Sequence, residues 1–293
     1  MKLILGFGIP LLFGMLFQQF YNMMDTIIVG KFLGVSALAS VGATGSINFM
    51  IIGFCMGVCN GFAIPVAQRF GAKDEHGMRK FVANSVWLSI IFAVVMAVLV
   101  CVFCRQILEL MNTPEDIIDG SYSYIFVIFL GIPATYMYNL LSGIMRSLGD
   151  SKTPLYLLIF SSILNIILDL LSIIVLKMGV AGAAWATVIA QAVSGFCCLG
   201  VIWKKFPILH VQREEWQPDK LCILNLCNMG IPMGLQYSIT AIGSVIIQAA
   251  VNSLGSVAVA SVAAAVKINM FLCCPYDAMG STMATYAGQN VGA

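Results

Sequence analysis

Four polar side chains lie inside long apolar stretches of this sequence, where such groups are costly. Asp25 is the only acidic or basic residue between Leu3 and Val29. Asn165 and Asp169 are four residues apart, which places them on one face of a helix. Thr187 belongs to a third apolar stretch. Acids inside membrane helices usually face the bundle interior and mark an ion or substrate path. Oxygen-rich groups of this kind suit a small hard cation such as sodium, or a proton.

These side chains are expected at a similar depth. With a rise of ~1.5 Å per residue, Asp25 lies ~9 Å from the end of its apolar stretch, and Asp169 and Thr187 each lie ~12 Å from theirs. The alternative is that the polar groups only join helices by hydrogen bonds. That alternative suits Asn165 and Thr187 but leaves two acids without a membrane base beside them. We therefore predict that the Asp25 and Asp169 carboxyl groups lie within about 8 Å of each other and face the bundle interior.

Other kinds of site chemistry find little support in the sequence. Both histidines, His76 and His210, fall in polar connections between apolar stretches. Cys101 and Cys104 form a CxxC, but no second pair or nearby histidine completes a zinc site, which normally takes four ligands. Acid–base catalysis most often uses histidine. The sequence therefore predicts a protein that is not an enzyme and needs no cofactor beyond a bound sodium ion or proton.

Composition indicates a membrane protein. Of the 293 residues, 60% are hydrophobic and 10% are charged, against about 25% charged in a soluble domain. The formal net charge of +2 does not suggest a nucleic-acid partner. The partners expected instead are membrane lipid and small molecules.

A membrane-spanning helix needs about 20 apolar residues, and eight segments of the chain meet this criterion. We therefore predict an all-α polytopic membrane protein with about eight transmembrane helices. Gly131 and Pro133 predict a kink in the fourth segment, and Pro275 predicts one in the eighth. The segments are Leu3–Val29, Ala37–Val66, Phe81–Cys104, Ser123–Met145, Leu155–Leu176, Ala181–Trp203, Cys222–Val251 and Val257–Tyr286.

The basic residues predict the orientation in the membrane. If the N-terminus is cytoplasmic, eleven Lys and Arg residues fall in cytoplasmic connections and three fall outside, while Lys267 lies within the eighth segment. Cytoplasmic loops carry an excess of Lys and Arg. We therefore expect a multi-pass protein of the cell (inner or plasma) membrane with a cytoplasmic N-terminus. The polar stretch Lys204–Lys220 is predicted to be a solvated cytoplasmic linker.

An internal repeat predicts how the segments are grouped. When Gly34–Ala72 is aligned on Gly255–Ala293 without gaps, twelve positions are identical, and Leu33-Gly34 recurs as Leu254-Gly255. The copies begin six segments apart, so both have the same orientation and form parallel halves related by an axis along the membrane normal. We predict a six-helix lobe at 1–203, a cytoplasmic linker at 204–220 and an incomplete second lobe at 221–293.

With these residues in place, the chain resembles the multidrug and toxic compound extrusion family of secondary transporters, prokaryotic type. The resemblance covers the chain from end to end. It is carried by YNMMDTIIVGKFLG at 21–34, AQRFGAKD at 67–74, RSLGDSKTP at 146–154, NIILD at 165–169, GVAGAAWATVIAQ at 179–191 and GQNVGA at 288–293.

The resemblance implies twelve helices in two lobes and export of amphiphilic or cationic compounds by antiport with sodium ions or protons. It implies a cation site at Asp25, Asn165, Asp169 and Thr187, with Asn139 as a further member.

Four helices of the family fold are missing, so we expect a C-terminally truncated chain. The full-length protein is expected to be monomeric. The alternatives are a lipid-linked oligosaccharide flippase of the same superfamily and a membrane fragment without transport activity. The sequence does not specify the substrate or choose between sodium and protons.

Overall fold

The computed structural model describes residues 2–111, 113–252 and 256–293, and this part of the chain is helical apart from short turns. The π-helical turn Leu171–Val175 extends α8, and two short 3-10 turns lie between α9 and α10. The helices are α1 (Lys2–Leu33), α2 (Val35–Ala43), α3 (Gly45–Gly71), α4 (Glu75–Val102), α5 (Cys104–Leu110), α6 (Glu115–Leu130), α7 (Ile132–Ser147), α8 (Lys152–Leu170), α9 (Gly179–Lys205), α10 (Lys220–Asn252) and α11 (Ser256–Gly292).

Six helices of the described part are long and apolar enough to cross a membrane, and α6 with α7 forms a bent pair that raises the number to seven. The bend of 46° at Gly131 confirms the predicted kink in the fourth segment. The eighth predicted segment lies within α11, which continues through Pro275 without interruption. An all-helical, multi-pass architecture is therefore confirmed, and the number of eight spans stays a prediction.

One predicted span is not continuous. The prediction of a single helix over 37–66 is wrong, because the chain divides at Thr44 into α2 and α3. The Thr44 hydroxyl donates to the carbonyl oxygen of Val41 (2.7 Å), a local bond that competes with helix propagation. Gly42 and Gly45 flank this residue, and glycine has a low helix propensity.

The outer face of α4 is apolar and exposed. Ile90, Ile91, Val94 and Val98 are each more than half exposed. A contiguous apolar surface of this kind is rare on soluble monomers and marks contact with another apolar medium. The buried core lies on the other side, where Val58 and other residues of α3, α6 and α7 are fully enclosed. The sequence therefore divides apolar residues between a packed interior and a lipid-facing exterior.

Glycines bring α3 very close to α10. A Cβ added to Gly61 would lie 2.5 Å from the Cα of Gly230 and 2.6 Å from the carbonyl oxygen of Met229. The same is true at Gly57, where a Cβ would lie 2.5 Å from the carbonyl oxygen of Met233. Real Cβ contacts are essentially never this short, so only glycine permits the observed helix crossing.

A second close contact has the symmetry expected of the repeat. A Cβ added to Gly71 would meet the carbonyl oxygen of Gln289, and one added to Gly292 would meet that of Gln68. In the internal alignment Gly71 corresponds to Gly292, and Gln68 corresponds to Gln289. A two-fold axis produces such reciprocal pairs, in which residue i contacts j and the equivalent of j contacts the equivalent of i. The contact supports the predicted repeat, although Leu254 and Gly255 lie outside the described residues.

The sequence predicted a solvated connection between α9 and α10, but the structure shows that part of this connection is buried. Glu215 is almost completely buried against α4, where its carboxylate accepts from Arg79 Nε (2.8 and 2.9 Å) and contacts His76 Nδ1 (2.9 Å). Burial acts to raise the pKa of Glu215, but hydrogen bonds from Gln212 N, Arg79 and His76 hold that pKa below its ordinary value. These contacts fix the connection onto α4.

The close crossing of α3 and α10 predicts opposite effects for the same substitution at two glycines. Gly61→Ala should lower the stability of the purified protein by about 2 kcal/mol, because the added methyl group meets backbone atoms that cannot rotate away. Gly243→Ala, inside the partner helix α10 but with open space around its Cβ, should be neutral or stabilising by up to about 1 kcal/mol. Thermal unfolding in detergent measures both. Equal shifts in the two variants would contradict the assigned helix crossing.

Candidate functional site

Three packed helices bring the predicted site residues together. α8 packs against both α1 and α9, and α1 also contacts α9. Asp25 comes from α1, Asn165 and Asp169 come from one face of α8, and Thr187 comes from α9. Asp169 is fully buried and Asn165 is 1% exposed.

The two acids approach each other directly. The carboxyl groups of Asp25 and Asp169 lie within hydrogen-bonding reach of each other. They therefore meet the distance predicted from the sequence, on the inner face of α1 and α8. Two ionised carboxylates cannot hydrogen-bond to each other because both only accept. The contact requires a positive charge, either as a shared proton or as a cation between the oxygens.

Thr187 links the other members of the site. Asn165 Nδ2 donates to Thr187 Oγ1 at 3.2 Å, and the Tyr21 hydroxyl is also 3.2 Å from that oxygen. Tyr21 was not among the residues predicted from the sequence. Its spacing of four from Asp25, within the same motif, is the signal that could have identified it, since such residues share a helix face.

Several buried acceptor oxygens in this site lack a donor in the described structure. They are one carboxylate oxygen of Asp25, both of Asp169 and the amide oxygen of Asn165. Buried polar groups are nearly always hydrogen-bonded, so a cluster of four exceptions needs an explanation. The oxygen-only donor set suits sodium or a proton. The described residues contain no group of three or more His, Cys, Asp or Glu side chains that could hold a metal ion.

The helix geometry changes immediately after Asp169. Residues Leu171–Val175 form a π-helical turn, with Leu176 N donating to Leu171 O at 3.0 Å. A further bond from Met178 N to Ser172 O (3.0 Å) ends this stretch. Single π turns inside α-helices occur frequently at functional sites. Here the turn changes the helical register between Asp169 and the end of its span.

In the described part of the chain, no hydrogen bond joins Asn139 to the other four predicted site residues. Asn139 is partly buried on α7, and its Nδ2 donates to Thr135 O on the same helix (2.8 Å). Thr135 in turn donates to Gln191 on α9 (2.6 Å). Asn139 is thus one turn away from a polar link between α7 and α9, and its membership in the cation site stays a prediction.

Arg146 occupies a different position from the one expected. The sequence placed it in the connection after the fourth span, but it lies in the last turn of α7. Its guanidinium donates to Asn60 Oδ1 on α3 at 3.3 Å. The apolar-length criterion missed it because helices continue beyond their apolar stretches. The basic residue therefore joins α3 and α7 instead of lying free in a loop.

Comparisons with known proteins agree with this architecture. The sequence profile of the MatE family matches residues 10–171. The probable multidrug resistance protein YoeA of Bacillus subtilis is 30% identical over 98% of this chain and 64% of its own length. The multidrug export protein MepA of Staphylococcus saprophyticus is 25% identical over 92% of this chain and 60% of its own length.

Solved structures have the same fold. A transporter of the MOP superfamily from Pyrococcus furiosus superposes with a TM-score of 0.93 at 26% identity, covering 99% of this chain and 65% of its own. An outward-facing multidrug resistance transporter superposes with a TM-score of 0.92. The present chain spans about 60–65% of the length of the proteins it matches.

The unsatisfied acceptors predict that one substitution stabilises the fold. Asp169→Asn replaces an acceptor oxygen by an amide that can donate to Asp25, so the unfolding free energy should rise by about 1 kcal/mol or more at neutral pH. The matched control is Asp150→Asn, which should destabilise. The Asp150 carboxylate accepts from Lys205 Nζ (2.6 Å) and from the first backbone N–H groups of α8 (3.1 and 3.0 Å). Thermal unfolding in sodium-free buffer tests this, and a loss of stability in Asp169→Asn would contradict the site's geometry.

Proposed function

Because this chain belongs to the MatE family of membrane transporters, we propose that it takes part in the export of amphiphilic or cationic compounds in exchange for sodium ions or protons. The family is one of transporters, so the prediction that the protein is not an enzyme is confirmed. Relatives of this chain are named multidrug export or resistance proteins. Because the chain covers less than two thirds of their length, the activity of the whole protein is part of the proposal.

The observation that carries the proposal is the buried contact between Asp25 and Asp169. Two carboxylates in a low-dielectric bundle cannot both remain charged without a compensating cation. Sodium and a proton are competitors for the same oxygens, since each neutralises one charge. Asn165 and Thr187 offer further oxygens beside the pair. The site is thus suited to exchange one monovalent cation for another, or to release the bound cation.

Coupling requires that the bound cation and the exported compound favour different conformations. A ligand shifts a conformational equilibrium only by its difference in affinity for the two states. Cation binding to α1 and α8 can supply such a difference, because it determines whether these helices pack tightly at Asp25 and Asp169. We propose that substrate leaves as the cation binds, with Asn139 as an additional member of the site.

The orientation and organisation belong to the same proposal. We infer a cytoplasmic N-terminus from the excess of basic residues in alternate connections. Residues 1–203 and 221–293 are proposed to belong to two lobes, joined by the linker 204–220, of a transporter that acts as a monomer in the cell membrane. The reciprocal contacts of Gly71 with Gln289 and of Gly292 with Gln68 support this arrangement.

Asp25→Asn tests the proposed coupling. In a transporter of the relatives' full length that contains this chain, the substitution should abolish ethidium efflux from cells while leaving the protein in the membrane, because the amide keeps the volume and loses the charge. Asp116→Asn, at an exposed acid in the first turn of α6, is the matched control and should transport normally. Asn139→Ala, measured in the same efflux assay, tests Asn139 as the fifth residue of the proposed cation site. Efflux at the wild-type rate by Asp25→Asn, at equal expression, would remove Asp25 from the mechanism.

A further inference from the structure

A groove on the outer surface of the bundle lies between α8 and α9, away from the cation site. Its volume is about 630 Å³, within the range of small-molecule sites. Leu157 and Phe160 line it from α8, and Cys197, Gly200 and Val201 line it from α9. The groove is open along its length toward the surrounding medium, which for these helices is the bilayer.

The sequence of α9 produces this groove. Cys197, Gly200, Val201 and Lys204 recur at spacings of three and four, so they lie on one face of the helix. The first two side chains are small or absent, and a Cβ added to Gly200 would have no atom within 4 Å. The larger Phe160 of α8, which is 46% exposed, forms the opposite wall. A depression remains between the helices because the small residues of α9 do not fill the space beside Phe160.

The residues at one end of the groove are typical of a membrane interface. Trp203 is 69% exposed beside its end, and its ring lies 4.6 Å from that of His210 in the following connection. Tryptophan is enriched where hydrocarbon meets head groups. From Lys204 to Cys197 the groove runs ~10 Å along α9, by the helical rise. One leaflet contributes about 15 Å of hydrocarbon, so the groove lies within a single leaflet.

Two lysines at the polar end have different surroundings. Lys205 Nζ donates to Asp150 Oδ2 (2.6 Å) and Thr153 Oγ1 (2.9 Å), so its charge is compensated. Lys204 is exposed at the mouth of the groove and has no acidic partner within the described part of the chain. The groove thus combines an apolar channel that suits an acyl chain with one uncompensated positive charge at the level of the lipid head groups.

We propose that this groove binds a phospholipid with an anionic head group, with an acyl chain between α8 and α9 and the phosphate on Lys204. Charge complementarity favours this occupant, since basic pockets between membrane helices bind anionic head groups. A second copy of the chain would bring its own Lys204 against this one, and like charges repel. A free phosphate ion would leave the apolar channel unused.

Binding is measured on the purified 293-residue chain, in detergent micelles that contain either phosphatidylglycerol or phosphatidylcholine, by native mass spectrometry. Wild type should retain phosphatidylglycerol preferentially. Lys204→Gln should reduce that preference about fivefold, since one lysine near a lipid surface contributes about that factor. Gly200→Leu should reduce it by a similar factor or more, because the side chain enters the open space of the groove without changing the charge.

Two control variants carry matched changes elsewhere. Lys220→Gln removes a charge from the start of α10, on the same side of the membrane but outside the groove. Gly6→Leu adds the same side chain to an exposed glycine of α1 that also has open space around it. Both should bind phosphatidylglycerol as wild type does.

Three outcomes would overturn the proposal: an unchanged preference in Lys204→Gln, an unchanged preference in Gly200→Leu, or equal losses in the controls. An effect of Lys204→Gln alone means general surface charge without a groove site. The measurement does not involve transport, so its result is independent of the proposed antiport and distinguishes failure of one proposal from failure of the other.

Discussion

The structure depends on placing two carboxyl groups inside an apolar bundle. An acid at the centre of a membrane helix costs about 2.5–3.5 kcal/mol even on insertion scales. Here Asp25 and Asp169 are brought into contact, and the remaining polar groups nearby supply mostly acceptors. Such an arrangement is stable only when it carries one added positive charge. Under the proposed function, the packing of α1, α8 and α9 is therefore coupled to the binding of a cation, which is the property a secondary transporter needs.

The candidate cation site is connected to the rest of the molecule through α1. At the other end of this helix, a Cβ added to Gly8 would lie 3.1 Å from Thr282 Oγ1 of α11, so the helices are close there. The two ends, Gly8 and Asp25, are separated by ~25 Å of continuous helix. A change in how α1 packs at the acids can thus reach its interface with α11. α11 also packs against α3, where Gly71 and Gly292 meet backbone atoms of the opposite helix. Packed interfaces of this kind shift between discrete arrangements instead of deforming gradually.

The sequence predicted much of the fold and the acid pair because both depend on strong local signals. Apolar length identified the spans, and the cost of an intramembrane acid identified Asp25 and Asp169. What it did not predict depends on tertiary contacts. The burial of Glu215 arises from Arg79, which is distant in sequence, so a polar linker was expected to be solvated. The place of Arg146 depends on how far a helix continues past its apolar residues, and hydropathy alone does not report this.

Difference infrared spectroscopy of the purified protein tests the central claim most directly, because it detects protonated carboxyl groups. Spectra are recorded at neutral pH in choline chloride and after exchange into sodium chloride. The account predicts that the Asp25–Asp169 pair always carries one compensating charge. A protonated-carboxyl band should therefore be present without sodium, should be lost if sodium binds there, and should be missing in a variant with both acids changed to asparagine. The contrary result is a wild-type spectrum identical to that of the double variant, together with no sodium binding, which would mean two uncompensated carboxylates.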